Sequence, residues 1–196
     1  PRPGVRRGPH DGGGRGGGGA HRRWALVGAY GDGLVDEAEH LAAALELDEA
    51  TRHALRDLGV DLNYNAYGDS DADLIVHPAQ LHALLRGQSD PVALADDGAL
   101  ACIRRTRLDD EALARAQRVD RVGERAYACL LPDSAWARRI RGTLAHELAQ
   151  RHAECGGAVL TPDASGDFVV SVRAPLARRR GADVLHQAII DFRRIP

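Results

Sequence analysis

Apolar positions first gather at residues 24–34, WALVGAYGDGL, where Ala25, Leu26 and Val27 make a run of strand length. Gly28, Gly31 and Gly33 then let the backbone turn sharply and approach a neighbour closely. The pattern predicts a buried strand that ends at Asp32 and delivers this acid to the rim of a sheet. The plainer alternative makes Asp32 the N-cap of the helix that follows. Residues 35–47 carry helical apolar spacing with acids in the first turn. A second helix starts at an Asp48 cap, places Ala50, Ala54, Leu55 and Leu58 on one face, and stops at Gly59. Residues 61–78 are rich in turn-forming Asn, Asp and Gly and carry two tyrosines.

Pro78 then opens a helix through Arg86 that Gly87 closes, Asp90 and Pro91 start another, and residues 99–119 give a long helical pattern. From Arg125 the pattern changes to strands around one strong helix, which sets a domain boundary near residues 120–124. Residues 126–131 form a strand ended by Pro132, and Asp133 or Ser134 caps a helix to about Arg151. Its Trp136, Ile140, Leu144 and Leu148 make a core-facing stripe. Residues 158–161 and 167–174 form a hairpin across the turn PDASG. In its second strand Phe168, Val170 and Val172 share one face, while Val169, Ser171 and Arg173 share the other.

Composition adds bounds. The 196 residues are 44% hydrophobic, enough for one sizeable core or two small ones. No apolar run approaches the roughly 20 residues that span a bilayer, and the start lacks a signal-peptide core, so no membrane partner is expected. The three cysteines are odd in number and far apart, which points away from a disulfide framework and toward a reducing cytoplasm. Every basic side chain besides histidine is arginine, a mark of GC-rich coding sequence. No methionine occurs, even at position 1, so the chain reads as a piece of a longer or processed product. A net charge of −2 supplies no global field for nucleic acid, leaving any such binding to a local patch. Residues 1–23 are glycine- and arginine-rich with almost nothing to bury, and are expected to be disordered.

Several constellations test poorly as chemistry. Asp69, Asp71 and Asp73 begin a calcium-loop spacing, but its glycine and terminal glutamate are missing, so these acids and Asp61 read as solvated turn residues. His146 and Glu147 resemble the start of HExxH, yet the next histidine, His152, falls off that helix face. Arg104, Arg105, Arg107, Arg115, Arg118 and Arg121 alternate with acids and read as a salt-bridged surface. Arg173, near the end of its strand, is a candidate anion ligand, because a planar guanidinium fork matches phosphate oxygens, or else a surface arginine.

Four blocks together carry a resemblance: GAYGDGL at 28–34, LNYNAYGDSDADL at 62–74, LPDSAWARRIRGTLAHELA at 131–149 and AVLTPDASGDFVVSVRAPLARRRGAD at 158–183. As an ordered set, covering about residues 24–185, they resemble the DHH phosphoesterases with a C-terminal DHH-associated substrate domain. These are relatives of RecJ-type exonucleases and of oligoribonucleases acting on very short RNA. After the segment 1–23, which composition makes disordered, the resemblance implies an α/β fold in two parts: the last strand of a catalytic domain plus a helical connector over 24–122, and an incomplete mixed α/β substrate-binding domain over 123–196. It also implies two Mn2+ ions, one generating hydroxide and both stabilising an in-line displacement. Asp32 matches the family's last metal-binding aspartate, and so is both the metal and the catalytic residue. Ser171 and Arg173 match the substrate-binding pair of the VS-x-R strand.

The Asp-His-His motif that names the family does not occur in the chain, nor does the substrate domain's glycine-rich loop after residues 181–183. One aspartate cannot hold two ions. The expected function is therefore that of a fragment of a manganese-dependent phosphoesterase for short nucleic acids or nucleotides, inactive alone. The alternative is a non-catalytic module that binds nucleotides through Arg173 and residues 178–180, or that assembles with another chain, a homodimer included.

Overall fold

A computed structural model describes residues 15–94 and 97–175. Its elements are α1 (Arg15–Gly31), α2 (Val35–Ala44), α3 (Glu49–Tyr64), α4 (Pro78–Arg86), α5 (Gly98–Arg115), β1 (Asp120–Arg121), β2 (Ala126–Leu130), α6 (Ala135–Arg151), β3 (Gly156–Pro162) and β4 (Phe168–Arg173). Helix and sheet are mixed, as an α/β class requires. The helices dominate the N-terminal part and the four strands follow one another in the order β1-β2-β3-β4.

The first expectation fails. Residues 24–31 are the end of helix α1, with no strand there. Leu26, Val27 and Tyr30 are buried at helical spacing while Ala25 and Gly28 are exposed. A short apolar run reads alike in a buried strand and in the buried face of a helix, and length arbitrates between them. The glycine turn is a helix stop: Leu34 N–H donates to the Ala29 carbonyl at 2.9 Å and Gly33 N–H to that of Tyr30 at 3.2 Å. Gly33 sits at φ 74°, the left-handed conformation that this closure demands. Asp32 is not a helix N-cap either, because α2 begins after Leu34. Residues 15–23, expected to be disordered, belong to α1, tied down where the Trp24 indole donates to the Gln88 carbonyl and Arg23 pairs with Asp90. Residues 1–14 lie outside the described residues.

Gly59 does not stop α3, which runs to Tyr64 from an Asp48 cap that accepts the Thr51 N–H at 2.8 Å. Gly59 serves a close crossing instead. A Cβ there would lie 2.2 Å from the Val27 carbonyl oxygen, and one at Gly31 2.8 Å from the Gly59 carbonyl oxygen. The helices α1 and α3 thus meet backbone to backbone, and their side chains join Leu94, Leu100 and Ile103 in one hydrophobic core.

A second core lies between the sheet and α6. The strands β2 and β3 are parallel and joined through α6, and β1 and β4 add antiparallel edges. Ile140, Leu144 and Leu148 of α6 are buried against Tyr127, Cys129 and Val159, as their four-residue spacing predicts. The hairpin register pairs Val159 with Ser171 and Gly157 with Arg173, so the Ser171 and Arg173 side of β4 is the side that α6 covers. On the opposite face Leu130, Phe168 and Val170 are exposed. All three cysteines are free. Among the described residues no helix is long and apolar enough to cross a membrane.

Candidate functional site

Between the two cores runs an open cleft of about 750 Å3, within the range of about 300–1,000 Å3 common for small-molecule sites. One wall is the end of α1, with Asp32, and the loop after α3, with Tyr67. The other is α6, with Arg138, Arg139, Arg141 and His146, and β4, with Ser171 and Arg173. The three residues singled out from sequence, Asp32, Ser171 and Arg173, therefore line one cleft although they come from opposite ends of the chain. Asp32 reaches it from the glycine turn of a helix rather than from the tip of a strand.

The α6 arginines owe their position to Ile140. Burying Ile140 in the sheet core leaves the residues flanking it at the edge of the helix, facing the cleft and the acids around it. Arg138 forks onto Asp73 at 2.8 to 3.0 Å. Arg139 donates to Asp110 at 2.8 and 3.2 Å and to the Asp73 carbonyl at 2.8 Å. Arg141 pairs with Asp69 at 2.8 Å and donates to the Thr161 hydroxyl. Hydrogen bonding from Arg138 holds the Asp73 carboxyl below its ordinary range, and Asp73 in return raises the Arg138 guanidinium. These three cations are largely neutralised by their partners.

Arg173 differs. Among the described residues it has no carboxylate partner. Its guanidinium donates to its neighbour's carbonyl, Val172, at 3.0 Å and weakly to that of Gly142 at 3.4 Å. Most of its N–H donors are left for a ligand, and a guanidinium offers them in the planar fork that phosphate accepts. The cleft can therefore take an anion at Arg173 while its other arginines hold the walls together.

A resident manganese centre does not fit these side chains. Asp32 supplies the one carboxylate and His146 the one imidazole among the described residues of the cleft lining. Among the described residues no group of three or more His, Cys, Asp or Glu is placed to hold a metal ion. A hard divalent cation needs several oxygen ligands. The acids of 61–73 do not supply them, because Asp61 and Asp73 are buried and committed to arginines, against the expectation of solvated turn acids.

The arginines of α6 were legible as composition, in AWARRIR, but not as a wall of the cleft. The signal that could have found them is the acid-rich loop 69–73 that must face some cation. Residues 178–180, named with Arg173 as an anion-binding run, lie outside the described residues. No family model, curated protein or solved structure matches the chain.

Proposed function

We propose that this chain is the substrate-gripping part of a DHH-type phosphoesterase and that its cleft binds short phosphorylated nucleic acids or nucleotides. The observation that supports the reading is the convergence of Asp32, Ser171 and Arg173 on one cleft whose other cations are internally paired. Arg173 holds a phosphate there, Ser171 lies beside it on the same strand face, and Asp32 stands at the opposite rim. Hydrolysis with manganese would require further metal ligands from another part of the protein, so binding is the activity assigned to the described residues. The same donor shortage favours, as a second reading, a nucleotide-binding module without catalysis.

The test is calorimetric titration of a 5′-phosphorylated dinucleotide at 50 and 200 mM salt, with Arg173→Ala as the control. Loss of a charge-assisted phosphate contact worth about 1.5–3 kcal/mol lowers affinity by roughly tenfold or more. Higher salt weakens the wild type more than the variant. Equal affinities for the two proteins would remove Arg173 from the site. Turnover of bis-p-nitrophenyl phosphate by the chain with manganese, unchanged in Asp32→Ala, would overturn the assignment of Asp32.

A further inference from the structure

The cleft contains an aromatic side chain that the two cores do not use. Tyr67 is 38% exposed, belongs to neither hydrophobic cluster, and lines the wall opposite Arg173. It is nonetheless firmly held. Its ring stands edge-on to that of Tyr64, with centroids 5.9 Å apart, and its hydroxyl accepts from the Asn63 amide at 2.6 Å. Its N–H donates to the Tyr64 carbonyl. The loop that carries it is pinned at both ends. Buried Asn65 exchanges two hydrogen bonds with Val76, at 2.8 and 2.9 Å, and the Asp73 carboxylate collects the Asp69 and Ser70 N–H groups. Tyr64 beneath is fixed in turn by its hydroxyl bond to buried Asp110 at 2.6 Å. A large ring is thus kept half in water, on a rigid support, in the cleft where Arg173 offers an uncommitted cation.

From this juxtaposition we infer that Tyr67 is the stacking platform for a nucleobase and makes the site selective for base-bearing phosphates over sugar phosphates. This rests on the phosphate-binding reading of the cleft and adds the residue that recognises the rest of the ligand. Stacking on an aromatic face tolerates any base, since every base presents a π-face. The preference it confers is therefore for nucleotides as a class, without sequence discrimination. Preorganisation matters here, because a ring already fixed in place loses little conformational freedom when a base settles on it.

The experiment compares adenosine 5′-monophosphate with ribose 5-phosphate, by NMR titration, on the wild type, Tyr67→Ala and Tyr67→Phe. The wild type should bind the nucleotide about tenfold or more tightly than the sugar phosphate. In Tyr67→Ala the two affinities should converge, with ribose 5-phosphate unchanged. Tyr67→Phe, which keeps the ring and loses only the hydroxyl bond to Asn63, should retain most of the preference. Equal affinities in the wild type, or a preference that survives Tyr67→Ala, would overturn the stacking role and leave the phosphate site standing. Binding of neither ligand would overturn both.

Discussion

At Asp73 a single carboxylate closes a loop and ties it to helix α6. It is 1% exposed and accepts from Arg138 and from two backbone N–H groups of its own loop. Removing the Asp73 charge leaves Arg138 with only the exposed Asp133 as an acidic partner and weakens the acceptor of two loop N–H groups, which costs about 1–3 kcal/mol. The sign of its pH dependence follows from its depressed titration. The unfolded aspartate titrates near about 3.9 and the folded one lower, so the stabilisation is present above that value and is lost as pH falls through the folded one. Urea unfolding at pH 7 should show Asp73→Asn clearly less stable than wild type, and the gap should narrow by pH 3. A gap of the same size at both pH values would place its origin in packing rather than charge. Asp61 repeats the arrangement with Arg104 and Arg107, both within 2.8 Å. Neither burial could be read from sequence, where an acid among Asn, Gly and Ser looks like any solvated turn residue.

Among the elements, legibility tracked how many independent signals each one carried. The helix α6 had a capping residue type, a four-residue apolar stripe and a flanking proline, and it formed where expected, with Ser134 at the N-cap position but its hydroxyl making no capping hydrogen bond. The hairpin had a partly alternating second strand and a Gly-containing turn, and its register puts Ser171 and Arg173 on one side. The segment 24–34 offered only a short apolar run and glycines, which fit a strand end and a helix end alike, and the two differ in partners that a single sequence does not display. The glycines separate by the same logic. At Gly59 a methyl group would collide with the backbone of α1, so Gly59→Ala should cost about 1–3 kcal/mol or more by forcing α1 and α3 apart. At Gly142, inside α6, an added Cβ meets nothing within 4 Å, so Gly142→Ala should stabilise by about 0.5–1 kcal/mol through helix propensity. Thermal and urea unfolding of the two variants should therefore shift in opposite directions. A neutral Gly59→Ala would mean that the α1–α3 crossing tolerates more separation than its close backbone approach implies.

For the whole molecule, the question is what keeps the helical part and the sheet part registered, since the cleft exists only between them. Few apolar side chains bridge the cores: Tyr64 of α3 and Ala114 of α5 reach into the sheet core, and Ile75 packs against both. Polar contacts complete the junction. Asp110 on α5 accepts from the Tyr64 hydroxyl at 2.6 Å and from Arg139 on α6 at 2.8 Å, which joins three helices through one carboxylate. Burial first, and then the bond to Asp110, raises the Tyr64 hydroxyl well above the usual tyrosine range, so at neutral pH it remains a donor. Asp110 and the Arg139 side chain are nearly inaccessible, and the pair is little weakened by salt. Asp110→Ala and Arg139→Ala should each destabilise by about 3–5 kcal/mol, and the double variant by clearly less than their sum. A coupling energy above about 1 kcal/mol in this cycle, read by urea unfolding, identifies the pair as a latch between the two parts. Additive effects would mean that each residue stabilises only its own side of the junction. The latch also bears on ligand binding, because Arg139 lines the cleft while Asp110 is not among the lining residues. Under conditions where Asp110→Ala remains folded, it should weaken binding of a phosphorylated dinucleotide without touching it, by loosening the α6 wall that carries the Gly142 carbonyl against Arg173.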